Sequence, residues 1–253
     1  MVDPLAATTL ALLAGMVGGG MNALAGGGTF ATLPALIALG LPANIANATS
    51  NIALTPGACS SAFVYRDELG PVGGVKVQWL ALITVLGGLV GGILLVITPS
   101  RAFDLLVPWL LLFALVVMLL GPRASLWLRA RVTIGPRTLI GTQALLGVYG
   151  GYFGGGVGLI TTALYGLLAG IDVRAMFAPR TLMLAVANIA AAAIFVAFGM
   201  VDWRACIPML IGAMIGGWLG AHLGKRLPTR VVRVWTLCVT AATTIIFFVR
   251  AYG

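Results

Sequence analysis

The sequence predicts an all-α polytopic membrane protein made of two inverted-topology repeats, with broken or re-entrant helices and about 8–10 membrane segments. The composition indicates the membrane class, because 60% of the 253 residues are hydrophobic and only 8% are charged. Soluble domains carry roughly 25% charged residues, so this chain has too few charges to cover a water-facing surface. Its apolar residues form long runs, whereas the strands of a β-barrel alternate apolar and polar residues.

The apolar residues fall into two series of segments. The first series lies at about 5–24, 29–40, 44–65, 76–97 and 103–121, and the second at about 138–153, 157–170, 175–199, 205–224 and 230–250. A helix needs about 20 residues to cross the hydrocarbon core of a bilayer. The segments 29–40 and 157–170 are too short, and each follows a cluster of glycines, which predicts a broken helix at both places.

The second series repeats the first after a shift of about 128–130 residues. The element GGGMNALAGGGTFATLPALIALGLPANIANATSN at 18–51 matches GVYGGYFGGGVGLITTALYGLLAGIDVRAMFAPRT at 147–181. Because each unit holds an odd number of segments, the second unit begins on the opposite face of the membrane, as in alternating-access transporters with inverted repeats. The chain therefore divides into a first transmembrane repeat at 1–121, a cytoplasmic basic linker at 122–137 and a second transmembrane repeat at 138–253.

Glycines also recur at helical spacing in both repeats. The pair Gly87-x3-Gly91 in the first repeat aligns with Gly216-x3-Gly220 in the second. Small residues at every fourth position let helix backbones approach closely in lipid. We therefore expect these glycines to pack helices together rather than to contact a substrate.

Basic residues cluster in three of the connections between segments. They are Arg66 and Lys76, then Arg123, Arg129, Arg131 and Arg137, and finally Lys225, Arg226, Arg230 and Arg233. Cytoplasmic loops of membrane proteins carry an excess of lysine and arginine, so we expect these connections in the cytoplasm and both termini outside. The net charge of +9 is then explained by membrane orientation rather than by nucleic-acid binding.

Residues for enzymatic or metal chemistry are sparse. The six acidic residues all lie at predicted segment ends: Asp3, Asp67, Glu68, Asp104, Asp172 and Asp202. Carriers coupled to protons or Na⁺ often place a carboxylate at membrane depth, so a carboxylate-based cation transporter is disfavoured. The sequence has no Ser/His/Asp or HExxH arrangement and no metal-ligand spacing, which predicts a protein that is not an enzyme and binds neither metal nor cofactor.

Polar residues instead crowd the two matching elements. The predicted core of a substrate site consists of Asn47, Thr49, Ser50 and Asn51 in the first copy and of Arg180 and Thr181 in the second. An ionisable residue at membrane depth is a functional hypothesis by default, and the alternative for Arg180 is snorkelling to the cytoplasmic face. A guanidinium offers a planar fork of donors that fits a carboxylate or a tetrahedral oxyanion. The site is therefore predicted to bind a small anion.

The glycine clusters form the other part of the predicted site. Helices that start just after Gly27–Gly28 and Gly155–Gly156 would direct their N-terminal dipoles and free N–H groups to the same place. Asn22 and Tyr152, just before the two clusters, are further candidates for the lining. For Asn188, lining the site and making an interhelical hydrogen bond are equally compatible with the sequence.

This pattern resembles the TauE/SafE sulfite exporter family, also called the toluenesulfonate uptake permease family. The resemblance covers essentially the whole chain and rests on GGGTFATLPALIALGLPANIANATSN, on its degenerate second copy GGGVGLITTALYGLLAGIDVRAMFAPRT and on two repeats of this size. It implies a multi-pass protein of the bacterial inner membrane that transports small sulfur-containing anions such as sulfite, sulfoacetate and other organosulfonates.

The expected function is therefore a secondary transporter that works by alternating access. Export is favoured, because an inside-negative potential assists outward anion movement by about 2.3 kcal/mol per charge per 100 mV. The expected partners are the anion and the lipid bilayer, without nucleic acid, and the sequence is compatible with a homodimer. Three alternatives stay open at this point: a proton-coupled permease for another small anion or sulfur metabolite, a membrane-embedded enzyme, and a non-transporting membrane subunit.

Overall fold

A computed structural model describes residues 3–129, 135–169, 176–224 and 228–253. Within these ranges the chain is all-helical, as predicted, with helices α1 Pro4–Leu24, α2 Thr29–Ala38, α3 Ala43–Val64, α4 Val77–Ile97, α5 Ser100–Arg129, α6 Pro136–Tyr152, α7 Val157–Ala169, α8 Phe177–Ala197, α9 Trp203–Gly224 and α10 Thr229–Tyr252. A short 3-10 turn, Arg66–Glu68, follows α3. The predicted loop residues Arg131, Asp172, Lys225 and Arg226 lie outside the described ranges.

Five of the described helices are long and apolar enough to cross a membrane, judged by length and composition: Pro4–Leu24, Val77–Ile97, Ser100–Leu120, Phe177–Ala197 and Arg230–Tyr252. The protein is therefore a multi-pass membrane protein. The sequence predicts about 8–10 segments, which is more than this number. Helix α3 shows one reason. It is 22 residues long, but several of its buried residues are polar, which makes it less apolar: Asn47, Thr49, Ser50 and Asn51.

The two short segments are helices of their own, α2 and α7, and each begins after a glycine break. The largest difference from the predicted bounds is at α5, which continues from the predicted end at 121 to Arg129. The stretch 122–129 contains alanine, leucine and arginine, which are strong helix formers, so the helix continues after the apolar run ends. Arg230 and Arg233 similarly lie in the first turns of α10 rather than in a loop.

Helices α1 and α9 pack side by side through glycines. Gly15 lies against the Met209 carbonyl and, one turn later, Gly19 lies against the Ala213 carbonyl. A Cβ at either glycine would collide with that backbone, so this close approach requires a residue without a side chain. Because the two contacts advance in the same chain direction on both helices, α1 and α9 run parallel.

Helices α4 and α6 pack in the same way. A Cβ on Gly87 would lie 2.8 Å from the Ala144 carbonyl oxygen, and Gly91 lies against the Val148 carbonyl one turn later. Helices α4 and α6 are therefore also parallel. The packing role predicted for the recurrent glycines is confirmed at Gly87, Gly91, Gly216 and Gly220.

The other helix contacts follow a paired pattern across the two halves of the chain. Helix α3 packs on α8, α5 on α7, α10 on α2, α4 on α8 and α9 on α3. Replacing each helix by its counterpart five places away exchanges α5–α7 with α10–α2 and α4–α8 with α9–α3, and it returns the pair α3–α8 unchanged. Helices α3 and α8 run antiparallel, because Asn51 meets Asn188 near their middles while Tyr65, just after α3, meets Phe177 at the start of α8.

The two broken helices meet inside the bundle. Gly26, between α1 and α2, has a φ of 80°, and Gly154 and Gly156, between α6 and α7, have φ values of 72° and 76°. This left-handed backbone is accessible to glycine but strained for other residues. A Cβ on Gly26 would lie only 2.6 Å from the Cα of Gly158, so the first break rests directly on the first turn of α7.

Pro34 interrupts the hydrogen bonding of the short helix α2. Because proline has no N–H, the Phe30 carbonyl one turn earlier loses its usual helical donor. Thr243 of α10 supplies the replacement, since its Oγ1 donates to the Phe30 carbonyl oxygen at 3.0 Å in a buried contact. Helix α10 thus holds the broken element α2 in its place beside the second break.

Candidate functional site

Arg180 lies in the first turn of α8 and is only 5% exposed. Its guanidinium carbon lies 4.6 Å from the centre of the Phe177 ring, which in turn stacks on Tyr65 with ring centroids 6.0 Å apart. The Nη2 atom of Arg180 is buried and has no hydrogen-bond partner among the described residues. In the described part of the chain, Arg180 is also not ion-paired with any carboxylate. The side chain is therefore a buried cation with an unused donor.

The first turn of α7 runs alongside this side chain. A Cβ on Gly158 would lie 3.6 Å from Cδ of Arg180. The first N–H groups of a helix lack intrahelical acceptors and carry the positive end of the helix dipole. A positive charge from α8 and unpaired donors from α7 are thus concentrated on one side of the paired glycine breaks.

Asn47 and Asn51 lie one turn apart on α3, beside the second break. Asn47 Nδ2 donates to the Tyr152 carbonyl at 3.0 Å, and Asn51 Nδ2 donates to Asn188 Oδ1 at 3.3 Å. The bond to Asn188 joins α3 and α8, which is the interhelical role left open by the sequence. The Oδ1 atoms of Asn47 and Asn51 are both buried and unpartnered within the described chain. This group therefore presents acceptors, a polarity opposite to that around Arg180.

The hydroxyls predicted to line the site have partners inside the protein. The Ser50 hydroxyl lies 2.5 Å from the Thr32 hydroxyl, and Thr49 Oγ1 accepts the Asp202 N–H at 3.1 Å. Thr181 Oγ1 donates at 2.9 Å to a backbone carbonyl one turn earlier in α8. These bonds fasten α3 to α2 and to the start of α9, so the three hydroxyls have structural contacts in this conformation.

Asn22 and Tyr152 shape the two breaks. Asn22 Oδ1 accepts the N–H of Gly28, the residue just before α2, at 3.2 Å. The Tyr152 ring packs edge-on against Phe103, with ring centroids 5.5 Å apart. The Gly155 carbonyl accepts a hydrogen bond at 2.8 Å from a tyrosine hydroxyl in the last turn of α6. Each break is thus held in its irregular shape by side chains from the helix that precedes it.

Phe30 lies between the two breaks, a position that sequence reasoning missed. A Cβ on Gly27 or on Gly156 would lie 3.0 Å from the Phe30 ring, which is buried. No signal distinguishes this phenylalanine in the sequence, because an aromatic residue after a glycine cluster looks like any apolar residue of a membrane helix. Its ring packs the two broken elements into one unit.

The predicted site residues gather around the breaks but fall into two groups. Arg180 faces the end of the bundle near Tyr65, whereas Asn51 lies near the middle of α3. Asn188, the partner of Asn51, is two helical turns along α8 from Arg180, about 12 Å at the rise of an α-helix. A donor group around Arg180 and an acceptor group around Asn47 and Asn51 therefore adjoin the same pair of breaks from different sides.

Broken helices that meet inside a helical membrane bundle, beside buried polar side chains, are the architecture of a membrane transporter. The chain belongs to the Sulfite exporter TauE/SafE family, whose model matches residues 11–247. The resemblance inferred from the glycine-rich elements and the repeat is thereby confirmed.

Curated relatives carry transporter names. A probable membrane transporter protein of Haemophilus influenzae is 29% identical over 232 residues, which is 90% of each chain. The probable membrane transporter protein YfcA of Escherichia coli K12 is 28% identical over 229 residues, 90% of this chain and 82% of the relative. The probable membrane transporter protein ORF9 of Sinorhizobium is 27% identical over 234 residues, 92% and 89% of the two chains. No solved structure matches this chain.

Proposed function

We propose that this transporter moves small sulfur-containing anions, such as sulfite, sulfoacetate and other organosulfonates, across the bacterial inner membrane by alternating access, with net export. The observation that carries the proposal is Arg180, a buried guanidinium whose Nη2 lacks a partner among the described residues. An uncompensated buried charge is strongly unfavourable, and an anion that binds there during transport would compensate it. The family description, sulfite exporter, supports sulfite-like chemistry for that anion.

Arg180 and the start of α7 form the proposed anion site. A sulfite or sulfonate group has three oxygen acceptors, and a guanidinium edge binds two of them through parallel donors. The N–H groups in the first turn of α7 bind the remaining oxygen, as helix N-termini do for many oxyanions. Phe177 covers one face of the guanidinium and leaves its edge for the ligand. A single positive charge assisted by neutral donors holds an anion while still allowing its release.

The direction of the helices supports alternating access. Helices α1 and α9 are parallel, α4 and α6 are parallel, and α3 is antiparallel to α8. Two inverted repeats related by an axis in the membrane plane would produce this combination of pairs. Rocking of one repeat against the other then opens the paired breaks to one side of the membrane at a time.

Net export follows from the proposed orientation and from the charge of the cargo. The Tyr65–Phe177 stack places Arg180 at the end of the bundle that also carries Arg66, a residue assigned to the cytoplasmic side by the positive-inside rule. An anion thus binds from the cytoplasm. Its outward movement is assisted by about 2.3 kcal/mol per charge per 100 mV of inside-negative potential.

Transport in proteoliposomes tests the proposal. Purified protein is reconstituted, and the efflux of labelled sulfite and sulfoacetate is measured at a set membrane potential. We expect Arg180→Ala to abolish efflux, whereas Arg204→Ala, which removes an exposed arginine from the start of α9, leaves it unchanged. If folded Arg180→Ala transports these anions at the wild-type rate, Arg180 does not bind the cargo. If wild-type protein transports none of them, the assignment of the substrate class is wrong.

A further inference from the structure

The strongest feature that the anion site does not explain is the pair of amide oxygens on α3. Asn47 is 1% and Asn51 is 5% exposed, and the Oδ1 atom of each lacks a hydrogen-bond partner in the described ranges. A buried polar group without a partner costs about 1–3 kcal/mol. Two such groups on one helix therefore indicate a ligand that supplies their missing partner. Because both are acceptors, that ligand is a cation or a hydrogen-bond donor.

The orientation of the Asn47 amide is determined by its partner. Asn47 Nδ2 bonds to the Tyr152 carbonyl, which accepts only, so the oxygen of Asn47 must be the free atom. In the Asn51–Asn188 pair, exchanging donor and acceptor would free an oxygen on Asn188 instead of Asn51. Either assignment leaves one amide oxygen of this pair free. Asn47 presents a free oxygen in both assignments, and Asn51 does so when its Nδ2 donates to Asn188, as in this structure.

The end of α6 presents backbone oxygens beside the asparagine group. The N–H groups of Phe153 and Gly154 both bond the Tyr149 carbonyl, at 2.9 and 3.4 Å, so Gly154 does not serve as the usual donor to Gly150. A Cβ on Gly154 would lie 3.5 Å from the Gly150 carbonyl oxygen and 3.4 Å from Asn51 Nδ2. The C-terminal end of a helix carries the negative end of its dipole. The negative end of α6 thus adjoins the asparagine group, and the atoms of Asn47 and Asn51 that these contacts place beside it are the donor nitrogens Nδ2.

We propose that a Na⁺ ion binds at the asparagine group of α3, with the unpartnered amide oxygens of Asn47 and Asn51 as its side-chain ligands. Backbone carbonyls at the broken end of a membrane helix are suitable further ligands for a monovalent cation. The absence of carboxylates in mid-segment disfavours a carboxylate-based cation site. Neutral oxygens remove that objection, because a single positive charge does not require a formal negative charge when dipoles surround it.

The position of this site gives Na⁺ a role in transport. The cation site adjoins the end of α6, and the proposed anion site adjoins the start of α7, so the same glycine break connects them. A Na⁺ ion that orders the break lowers the free-energy cost of ordering it when the anion binds. The affinities for Na⁺ and for the anion are then coupled reciprocally. This role rests on the proposed anion transport, whereas Na⁺ binding itself does not.

Thermal unfolding of the purified protein in detergent tests the binding. A ligand that binds only the folded state raises the unfolding temperature in a saturable way. We expect NaCl to raise it, with choline chloride at equal ionic strength having no such effect. An equal rise with choline chloride, or no rise with NaCl, would overturn the proposal. No anion cargo is needed for this measurement, so its result is independent of the substrate class.

Variants locate the ion and separate the two sites. We expect Asn47→Ala and Asn51→Ala each to raise the half-saturating Na⁺ concentration about tenfold or more, since each removes a ligand. Asn44→Ala is the matched control, because Asn44 is a half-buried asparagine in the first turn of the same helix. Arg180→Ala should retain the Na⁺ response even though it loses anion transport. A wild-type Na⁺ response in both Asn47→Ala and Asn51→Ala would rule out this site.

Discussion

Gly26 and Gly158 belong to different halves of the chain, yet their backbones are in direct contact. A Cβ on Gly26 would lie 2.6 Å from Cα of Gly158, and a Cβ on Gly158 would lie 2.8 Å from Cα of Gly26. Each glycine is thus required by the other, and Gly26 is also required by its left-handed backbone. This contact joins the two broken helices at the place where the donor group and the acceptor group adjoin.

Substituting Gly26 tests the importance of this contact. Gly26→Ala introduces left-handed strain of about 1–2 kcal/mol and a backbone collision in addition. Gly40→Ala is the control, because Gly40 also has positive φ, at 93°, but has open space where its Cβ would lie. We expect Gly26→Ala to lower the unfolding temperature clearly more than Gly40→Ala does. Equal shifts in the two variants would show that the contact with Gly158 contributes nothing beyond backbone strain.

The glycines between α4 and α6 should respond to substitution according to their neighbours. Gly91→Ala places a methyl group against the Val148 carbonyl, and such overpacking typically costs about 1–3 kcal/mol. Gly141→Ala, in the same helix pair but with open space around it, should stabilise the protein by about 0.5–1 kcal/mol through helix propensity. Unfolding temperatures of the two variants should therefore move in opposite directions. A stabilising Gly91→Ala would contradict the close helix approach.

The bond from Thr243 to the Phe30 carbonyl should stabilise the broken element α2. Thr243→Val leaves that carbonyl buried without a donor, which we expect to reduce the free energy of unfolding by about 1–3 kcal/mol. Thr240→Val is the control, because its hydroxyl bonds a carbonyl of its own helix at 2.8 Å. Pro34→Ala restores the helical N–H and should lessen the effect of Thr243→Val in the double variant. Additive losses would show that the two residues do not share this carbonyl.

Arginine and lysine should differ at position 180. Arg180→Lys keeps the positive charge but loses the planar fork, so hydrogen bonds to the anion worth about 1.5–3 kcal/mol are weakened. We expect sulfite or sulfoacetate to bind the lysine variant about tenfold or more weakly, in between the wild type and Arg180→Ala. Competition binding in detergent measures this order. Equal affinity for lysine and arginine would mean that charge alone holds the anion.

Several features follow from local patterns and were predictable. The lack of charge indicates the membrane class, the glycine clusters before α2 and α7 predict the two breaks, and Gly-x3-Gly spacing predicts close helix packing. These properties depend on residues that are near one another in the chain or on composition. The extra turns of α5, up to Arg129, were missed because helix propensity outlasts the apolar run from which the segment was predicted.

Tertiary contacts decide whether the asparagines of α3 present free donors or free acceptors. The amide of Asn47 carries both a donor and an acceptor, and the sequence does not indicate which of them a neighbour will occupy. The Tyr152 carbonyl takes the donor and leaves the oxygen free, although 105 residues separate the two in the chain. Helix packing alone brings that carbonyl to α3. It likewise separates Arg180 from Asn51 and so produces two groups of opposite polarity beside one pair of glycine breaks.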